Sequence, residues 1–473
     1  MRAVALADFG STFTKVALVA AGTGRLLATG QAPTSVETDV MEGYAKALGD
    51  ALAAAGPGIE LVERLAASSA GGGLRLAAIG LVADLTAEAA KQAALNAGAK
   101  IELVLAGRLE TSDLAMLEAK KPEIVLFSGG VDGGQRTQVL ENAEIVSSVG
   151  FSGHVIVACN AEVAAAAADL FAEKGHSVEI VDNVLPAIDR LDIEPARHAI
   201  HEAFIAHVIR GKGLSRTAEF GRAVIMPTPE AVLEATRLLA EGPDGCAGRG
   251  DVIVIDIGGA TTDVHSACRV RPPRPGVSLA GLPTLPLTRS VQGDLGMRWS
   301  APGVLAADRF WLEGEAQALG FDAAMLGAAC ARRHASPGFI PESDVEQGLD
   351  RALAVSCIAQ SIRRHCGALA TVYVPRQGAQ FVQHGLDLRE VPLVVGTGGM
   401  LVHRSDGADI LRAALERRVQ GSLTPKAPAL AIDRDYMLAA AGLLATRDRA
   451  AAYGLLAAQF GLSKAAAASR SAP

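Results

Sequence analysis

The sequence has few aromatic residues, since Phe, Tyr and Trp make up only 4% of its 473 positions. Hydrophobic residues nevertheless account for 50% of the chain, so the core has to be built from Ala, Val, Leu and Ile. A chain of this length is too long for one ordinary core. We therefore expect two or three domains.

Paired cysteines and an excess of positive charge are also missing. The net charge of -7 argues against a general nucleic-acid-binding protein, because neutralising phosphates requires a basic surface. The six cysteines form no CxxC pair, which disfavours a zinc or iron–sulfur site and suits a reducing cytoplasm. They are Cys159, Cys246, Cys268, Cys330, Cys357 and Cys366.

The sequence also lacks a long apolar run. No stretch reaches the roughly 18 apolar residues that a membrane-spanning helix needs. At the N-terminus, Asp8 comes too early for the apolar segment of a signal peptide. We therefore expect a soluble cytoplasmic protein with neither nucleic acid nor membrane as a partner.

The order of predicted elements indicates an α/β protein with two lobes. The chain opens with strand, tight turn and strand, and the same pattern returns at 252–264 after a glycine-rich linker. Between about 100 and 190, short apolar runs alternate with helix-like stretches, as in a parallel α/β module inserted into the first lobe. The predicted ranges are 1–250 for the N-terminal lobe with its insert, 251–450 for the C-terminal lobe and 451–473 for a short tail.

Several helices are predicted from composition and end signals. Residues 40–55, 191–240 and 343–370 have helical composition. Within the second of these, Thr228 is a possible N-cap and Pro229 stands at the first helical position. The low-complexity end of the chain, 463–473, is expected to be frayed or disordered.

One phrase occurs twice. "DFGSTFTKV" begins at Asp8 and "DIGGATTDV" begins at Asp256, each directly after an apolar strand. At equal offsets from the two aspartates stand a glycine, a threonine and a valine: Gly10 and Gly258, Thr14 and Thr262, Val16 and Val264. The repeat suggests two related lobes that each present one hairpin.

The residues of these hairpins suit a polyphosphate and a metal ion. Glycines let backbone amides approach phosphate oxygens, and Lys15 can offset phosphate charge. Asp8 and Asp256 suit a hydrated Mg²⁺, and one of them could orient or deprotonate an attacking water. Hydroxyl donors are available from Ser11, Thr12, Thr261 and Thr262.

An ordinary β-turn with an incidental aspartate could account for either hairpin alone, but the matched offsets disfavour this for the pair. Two common phosphate-binding motifs are absent, since the chain contains no GxxxxGK[ST] and its glycines do not complete GxGxxG. A third stretch, "VVGTGGM", places Gly396, Gly398 and Gly399 after an apolar strand, where backbone could pack against the sugar or base of a nucleotide.

Together the three stretches resemble the first phosphate, second phosphate and adenosine motifs of the actin/Hsp70/sugar-kinase ATPase superfamily. Within it, the chain resembles the accessory proteins of glutamate (methylaspartate) mutase, a family called MutL that is unrelated to mismatch repair. The resemblance includes "FSGGVDGG", "MPTPEAVL", "QGDLGMR" and "DRDYMLAAAGLL" and runs through nearly the whole chain.

The resemblance implies two related actin-like lobes that close over Mg-ATP. It implies an ATP-dependent chaperone that opens a stalled adenosylcobalamin-dependent mutase so that damaged cobalamin can leave. It also adds Asp263 to the second phosphate motif. It identifies neither the mutase nor the oligomeric state.

Some alternatives stay open at this stage. A small-molecule kinase of the same superfamily would need an acceptor pocket and a positioned base, and an activator of a radical enzyme would need cluster-binding cysteines. The stretch 127–134 is either a second ligand or partner loop, or a glycine-rich turn with Asp132 as a helix cap. Residues 68–73 either approach the phosphates or merely turn the chain.

Overall fold

The computed structural model describes residues 1–151, 153–209, 218–374 and 378–462. The stretch 463–473, predicted to be frayed, lies outside the described residues. The chain forms two compact lobes. The first comprises Met1–Ala235, Gly281–Pro283 and Leu438–Leu455, and the second comprises Thr236–Ala280, Thr284–Met437 and, among the described residues, Leu456–Leu462.

The first lobe is built on a five-stranded sheet with the order β10-β4-β1-β2-β3. β1 pairs antiparallel with β2 and β2 with β3, whereas β4 and β10 extend the sheet in parallel. The strands are β1 (Arg2–Phe9), β2 (Phe13–Ala20), β3 (Leu26–Pro33), β4 (Glu60–Ser68) and β10 (Val224–Pro227). The helices are α1 (Val40–Ala55), α7 (Ala218–Ala223) and α8 (Thr228–Glu241), which runs into the second lobe.

The second lobe has a five-stranded sheet with the order β14-β12-β11-β17-β18. Its strands are β11 (Val252–Ile257), β12 (Thr262–Ala267), β14 (Leu287–Gln292), β17 (Leu393–Thr397) and β18 (Ala429–Ile432). Its helices are α9 (Ala301–Ala307), α10 (Arg309–Ala318), α11 (Ala323–Ala335), α12 (Asp344–His365), α13 (Gly399–Val402) and α14 (Gly407–Glu416). A smaller sheet contains β13 (Val277–Ala280), β15 (Ala368–Val374) and β16 (Gly378–His384).

The two large sheets have the same strand order and the same strand directions. In each, the first strand of the lobe pairs antiparallel with the second and parallel with the fourth. This confirms an α/β fold with two related lobes. β1 and β11 are apolar and buried over most of their length, and the aspartate near each carboxyl end is the position that becomes partly exposed.

An all-parallel module is inserted between β4 and β10, with the strand order β6-β5-β7-β8-β9. It begins at Arg75, earlier than the predicted region from about 100. The strands are β5 (Arg75–Gly80), β6 (Lys100–Ala106), β7 (Ile124–Phe127), β8 (His154–Val157) and β9 (Ser177–Ile180). The helices are α2 (Glu88–Asn96), α3 (Thr111–Lys120), α4 (Thr137–Ser147), α5 (Ala164–Glu173) and α6 (Glu194–Ala203), with π-helical segments at Ala83–Ala87 and Phe204–Ile209.

The structure differs from the sequence prediction in two regions of the chain. The prediction of mostly helical structure for 191–240 is wrong at β10, which is a strand because it pairs with β4 across the inserted module. Residues 210–217 of that range lie outside the described residues. The C-terminal helices α15 (Met437–Ala445) and α16 (Arg449–Gln459) pack largely with the first lobe. A Cβ atom on Gly442 would lie 1.8 Å from the Ala231 carbonyl oxygen, so α15 and α8 are in close backbone contact. Within the described ranges, no helix is long and apolar enough to cross a membrane.

Candidate functional site

The first hairpin connects β1 and β2 and carries Asp8 near the end of β1. Asp8 faces Lys15 in the antiparallel ladder. The amide of Gly10 donates to the carbonyl oxygen of Phe13 at 3.1 Å and closes the tip. A Cβ atom on Gly10 would lie 2.7 Å from that oxygen, so glycine is needed for a turn this tight.

The Asp8 carboxylate has a partner from a distant part of the chain. Thr228, the first residue of α8, donates from Oγ1 to Asp8 Oδ1 at 2.6 Å. Burial raises the pKa of Asp8 above its usual value, whereas the charge of Lys15 and the Thr228 hydrogen bond oppose this rise. A carboxylate with a raised pKa is better matched to proton transfer near neutral pH.

The tip of the first hairpin exposes Ser11 and Thr12. Ser11 Oγ donates to the Ser69 carbonyl oxygen at 3.3 Å, and the Thr12 carbonyl accepts from the Thr34 amide at 2.9 Å. The glycine-rich segment 68–73 therefore lies beside the hairpin tip. The segment turns the chain beside the first hairpin, and its approach to the phosphates stays a prediction.

The second hairpin repeats this arrangement between β11 and β12. Asp256 faces Asp263 in the ladder, at the same offset as in the first hairpin. The Gly258 amide donates to the Thr261 carbonyl oxygen at 2.9 Å, and a Cβ atom on Gly258 would lie 3.0 Å from that oxygen. The repeated phrase of the sequence thus folds into the same turn twice.

The second hairpin is held by the segment that follows β14. The Arg298 amide donates to the Gly259 carbonyl oxygen at 2.8 Å, and Ser300 Oγ donates to the Ala260 carbonyl oxygen at 2.6 Å. A Cβ atom on Gly296 would lie 2.5 Å from the Ala260 carbonyl carbon. The "QGDLGMR" phrase therefore supports the glycine loop through backbone contacts.

Three predicted site residues stabilise the second hairpin from within. Thr262 is fully buried, and its Oγ1 donates to the Leu295 carbonyl oxygen at 2.8 Å. The buried Arg289 donates to Asp263 Oδ1 from Nη2 at 2.6 Å and from Nε at 3.0 Å. Thr261 Oγ1 donates to Asp263 Oδ2 at 3.1 Å. Their predicted contact with phosphate stays a prediction.

The third predicted stretch lies next to the second hairpin, because β17 pairs in parallel with β11 and places Thr397 opposite Asp256. Gly398, the next residue, has φ 96°. A Cβ atom there would lie 2.2 Å from the Ile257 carbonyl oxygen and 3.0 Å from Asp256 Oδ1. The backbone of this turn therefore packs directly against the end of β11.

The other two glycines of this stretch differ in their surroundings. Gly396 is buried, and a Cβ atom on it would lie 2.7 Å from Leu401 Cδ1. Gly399 is exposed, and a Cβ atom on it would meet no atom closer than 3.8 Å. Of the three, Gly399 is therefore the one that presents bare backbone for a ligand to cover.

Sequence reasoning missed Tyr436, a non-glycine residue with φ 57°. Its hydroxyl lies 3.1 Å from His403 Nε2 and 3.9 Å from a Cβ position built on Gly399. Burial and the negative charges of Asp256 and Asp433 raise the pKa of Tyr436 to about 12, so the phenol is neutral at physiological pH. A left-handed backbone at a bulky side chain costs about 1–3 kcal/mol and occurs mostly at functional sites.

Asp433 fixes the segment that carries Tyr436. Its amide donates to the Gly396 carbonyl oxygen at 2.9 Å, and Thr397 Oγ1 donates to its Oδ2 at 3.3 Å. Its Oδ1 accepts from the Met437 amide at 2.7 Å, at the start of α15. The ends of β17 and β18 are therefore joined through one buried carboxylate.

Gly398→Ala is expected to destabilise the second lobe by about 3 kcal/mol, from the strained φ together with the collision against Ile257. Gly399→Ala is the matched control, with an expected change within about 0.5 kcal/mol. Urea unfolding followed by tryptophan fluorescence measures this, because both tryptophans, Trp299 and Trp311, lie in the second lobe. Equal losses in the two variants would contradict the assignment.

The glycine-rich stretch in the inserted module is a βα turn, with Gly129, Gly130 and Gly133 at positive φ. The alternative in which Asp132 caps the helix that follows it is wrong. Its Oδ1 accepts instead from the Ala161 amide at 2.9 Å, ahead of α5. The correction reflects the parallel sheet, which brings the carboxyl ends of β7 and β8 together at one edge.

The cysteines lie mostly in the core. Cys159, Cys268, Cys330, Cys357 and Cys366 are buried, and Cys246 is exposed. Burial raises the pKa of the Cys159 and Cys268 thiols to about 12. Among the described residues, no group of three or more His, Cys, Asp or Glu side chains is arranged to hold a metal ion.

This chain is similar to a known protein family, to one relative of that family and to several solved structures. The family model described as MutL protein matches residues 4–460. Protein MutL of Clostridium tetanomorphum is 38% identical over 455 residues, which cover 94% of this chain and 96% of the relative. Among solved structures, nucleotide-free acetone carboxylase aligns with 93% of this chain and 70% of its own at 13% identity and a TM-score of 0.38. Glycerol dehydratase reactivase aligns with 94% of this chain and 99% of its own, at 13% identity and a TM-score of 0.32.

The family match spans residues 4–460 and so includes both hairpins, and the Clostridium tetanomorphum relative covers 94% of the chain. The chain therefore belongs to the MutL protein family, which confirms the family predicted from its sequence.

Proposed function

We propose that this protein is an ATP-dependent accessory protein that reactivates an adenosylcobalamin-dependent mutase of the glutamate mutase type. The observation that carries the proposal is the pair of hairpins, which have the same ladder register and the same glycine turn in both lobes. A strand-end carboxylate followed by a glycine turn suits phosphate and Mg²⁺. Membership of the MutL family supports the class of partner.

The residues at the hairpin tips fit a polyphosphate. Ser11 and Thr12 are exposed, and Gly259 is exposed with no atom closer than 3.6 Å to a Cβ position built on it. Small residues of this kind let phosphate oxygens approach the backbone. Lys15, opposite Asp8, supplies a positive charge at the first tip.

Asp8 and Asp256 are the residues that would hold Mg²⁺. Mg²⁺ commonly takes one or two protein carboxylates together with phosphate oxygens and keeps several of its waters. Both aspartates stand at strand ends and are partly exposed, which fits this mode of binding. When bound, the ion would neutralise charge on the phosphate oxygens.

We assign the proton of the attacking water to Asp8. The Thr228 hydroxyl bonds to Oδ1 and orients the carboxylate, and burial raises its pKa. A carboxylate in this state can accept a proton from water more readily than one with the usual carboxyl pKa. Asp8 would then serve both the metal ion and the proton, and Asp256 would act only through the metal ion.

The proposal is tested with the purified full-length chain and a glutamate mutase inactivated by a damaged cobalamin. We expect Mg²⁺-dependent ATP hydrolysis, recovery of mutase activity when ATP and fresh adenosylcobalamin are added, and no recovery with a non-hydrolysable ATP analogue. Absence of Mg²⁺-dependent hydrolysis both with and without the mutase would overturn the proposal. Phosphorylation of a small acceptor faster than water would instead support a kinase.

The placement of the cysteines weighs against an activator of a radical enzyme. Such an activator needs thiolates that can ligate a cluster, and five of the six thiols here are buried. Burial in apolar surroundings disfavours the thiolate. The reactivating function needs no such ligands.

Tyr436→Ala is expected to weaken ATP binding about tenfold while leaving the binding of inorganic tripolyphosphate unchanged, since an aromatic contact contributes about 1–3 kcal/mol. The reason is its position beside the exposed Gly399, where we place the nucleoside. Isothermal titration calorimetry with both ligands measures the difference. Tyr373→Ala, at an exposed tyrosine of the three-stranded sheet, is the control, and equal weakening for both ligands would contradict this role.

A further inference from the structure

The start of α8 joins the first hairpin to α6. Thr228 donates to Asp8, as described above, and Glu230 stands two residues further along the same helix. Glu230 is only 5% exposed. It accepts from Arg197 Nη1 at 2.9 Å and from His201 Nδ1 at 2.8 Å. Both donors belong to α6, which packs against β7 and β8 of the inserted module.

The segment after α2 also contacts the start of α8. Gly98 follows α2 with φ +80°. A Cβ atom on it would lie 2.8 Å from Pro227 Cβ and 3.3 Å from the Glu230 amide nitrogen. The backbone that follows α2 and charged side chains from α6 therefore converge on the residues next to the Thr228–Asp8 hydrogen bond.

Separating Glu230 from Arg197 and His201 would be energetically costly. A buried carboxylate that loses a charged partner is left with an uncompensated charge, which is strongly unfavourable. Glu230 therefore has to follow Arg197 and His201 when α6 moves. Because Thr228 lies in the same first turn of α8, its hydroxyl moves with Glu230, and so does the hydrogen bond that orients Asp8.

We propose that Glu230 is a positioning residue through which the inserted module controls the orientation of Asp8 and thereby the rate of ATP turnover. The inference rests on the proposed function for the role of Asp8 in turnover. It gives the inserted module a regulatory role, since any partner that displaces α6 changes the nucleotide site. The contacts that carry it lie entirely within the first lobe.

The contact between His201 and Glu230 should also depend on pH. The hydrogen bond with Glu230 raises the pKa of His201, burial opposes the rise, the charges of Glu230 and Glu202 add to it and the charge of Arg197 reduces it. At pH values below the raised pKa of His201, the imidazole is charged and holds Glu230. The charge is lost as the pH rises through that pKa. We therefore expect ATP turnover in the unmodified protein to fall as the pH rises through the pKa of His201. This fall should be absent from the pH profile of His201→Gln.

The experiment uses Glu230→Gln in the full-length chain, with Glu88→Gln, in the surface pair with Lys91, as the control. We expect kcat for ATP hydrolysis to fall about tenfold with KM little changed, because misplacing a reacting group affects the chemical step. In the nucleotide-free protein, hydrogen exchange should accelerate at 8–15 but not at β7. Arg197→Lys, which keeps the charge, should retain more turnover than Arg197→Met.

The outcomes separate this inference from the proposed function. Unchanged kcat and unchanged exchange at 8–15 in Glu230→Gln would overturn the positioning role, and so would exchange that accelerates equally throughout the chain. If the unmodified protein hydrolyses no ATP, yet Glu230→Gln accelerates exchange at 8–15 alone, the proposed function fails and the connection to the first hairpin stands.

Discussion

Asp8→Asn and Asp256→Asn are each expected to lower the rate of ATP hydrolysis by about 100-fold or more, because a positioned proton acceptor or metal ligand contributes on that scale. Asparagine has nearly the same shape as aspartate but neither accepts the proton nor neutralises the metal ion. Both positions lie near strand ends and are partly exposed, so the sheets should persist. Single-turnover hydrolysis and circular dichroism measure the two effects.

Asp169→Asn, at an exposed position on α5, is the control and should hydrolyse ATP at the unmodified rate. The two site variants should differ from each other in metal dependence. Asp256→Asn should be partly rescued by a higher Mg²⁺ concentration, whereas Asp8→Asn should not, because added Mg²⁺ does not replace the proton acceptor. Normal turnover in either variant would remove that aspartate from the proposed site.

Asp350→Leu is expected to lower the free energy of unfolding of the second lobe by about 3 kcal/mol, the typical effect of breaking a buried ion pair. Asp350 is 1% exposed and accepts from Arg333 Nε at 2.7 Å and from Arg298 Nη2 at 2.8 Å. Arg333 is itself fully buried and also bonds Glu346. Leucine would leave two guanidinium groups without this shared carboxylate.

Urea unfolding followed by tryptophan fluorescence tests this prediction in the second lobe. Asp409→Asn is the control, since Asp409 and Arg412 form an exposed pair whose loss should cost less than about 0.5 kcal/mol. The double variant with Arg333→Met and Asp350→Leu should recover part of the loss, because it removes one of the unpaired charges. Equal midpoints for Asp350→Leu and the unmodified protein would contradict a stabilising role for the pair.

The hairpins could be predicted because their determinants are local. The aspartate, glycine and threonine of each hairpin lie within one short stretch, and two copies at matched offsets distinguish the pattern from an ordinary turn. The relation between the two lobes is predicted by the same repeat, because each copy pairs the first two strands of its lobe. The long helix α12 is also predictable, because helical composition extends over the range 343–370.

The rest depends on contacts between distant residues. Thr228 and Asp8 are 220 positions apart, and nothing near Thr228 signals that its hydroxyl leaves the helix for a carboxylate. β10 has four residues between two helices and is a strand only because β4 offers an open edge. Tyr436 adopts a conformation that glycine usually occupies, so residue type argues against it. Such features require the assembled lobe.

The position of the inserted module has a consequence for folding. The chain leaves the first sheet at the end of β4 and returns at β10, whose Val224 is the register partner of Ala66. Until β10 has been synthesised, that edge of β4 remains unpaired and open to misassociation. Closing such a long loop costs chain entropy, and a module that has already folded shortens the loop that must close. A module that folds before β10 pairs would therefore bring the last strand of the first sheet close to β4.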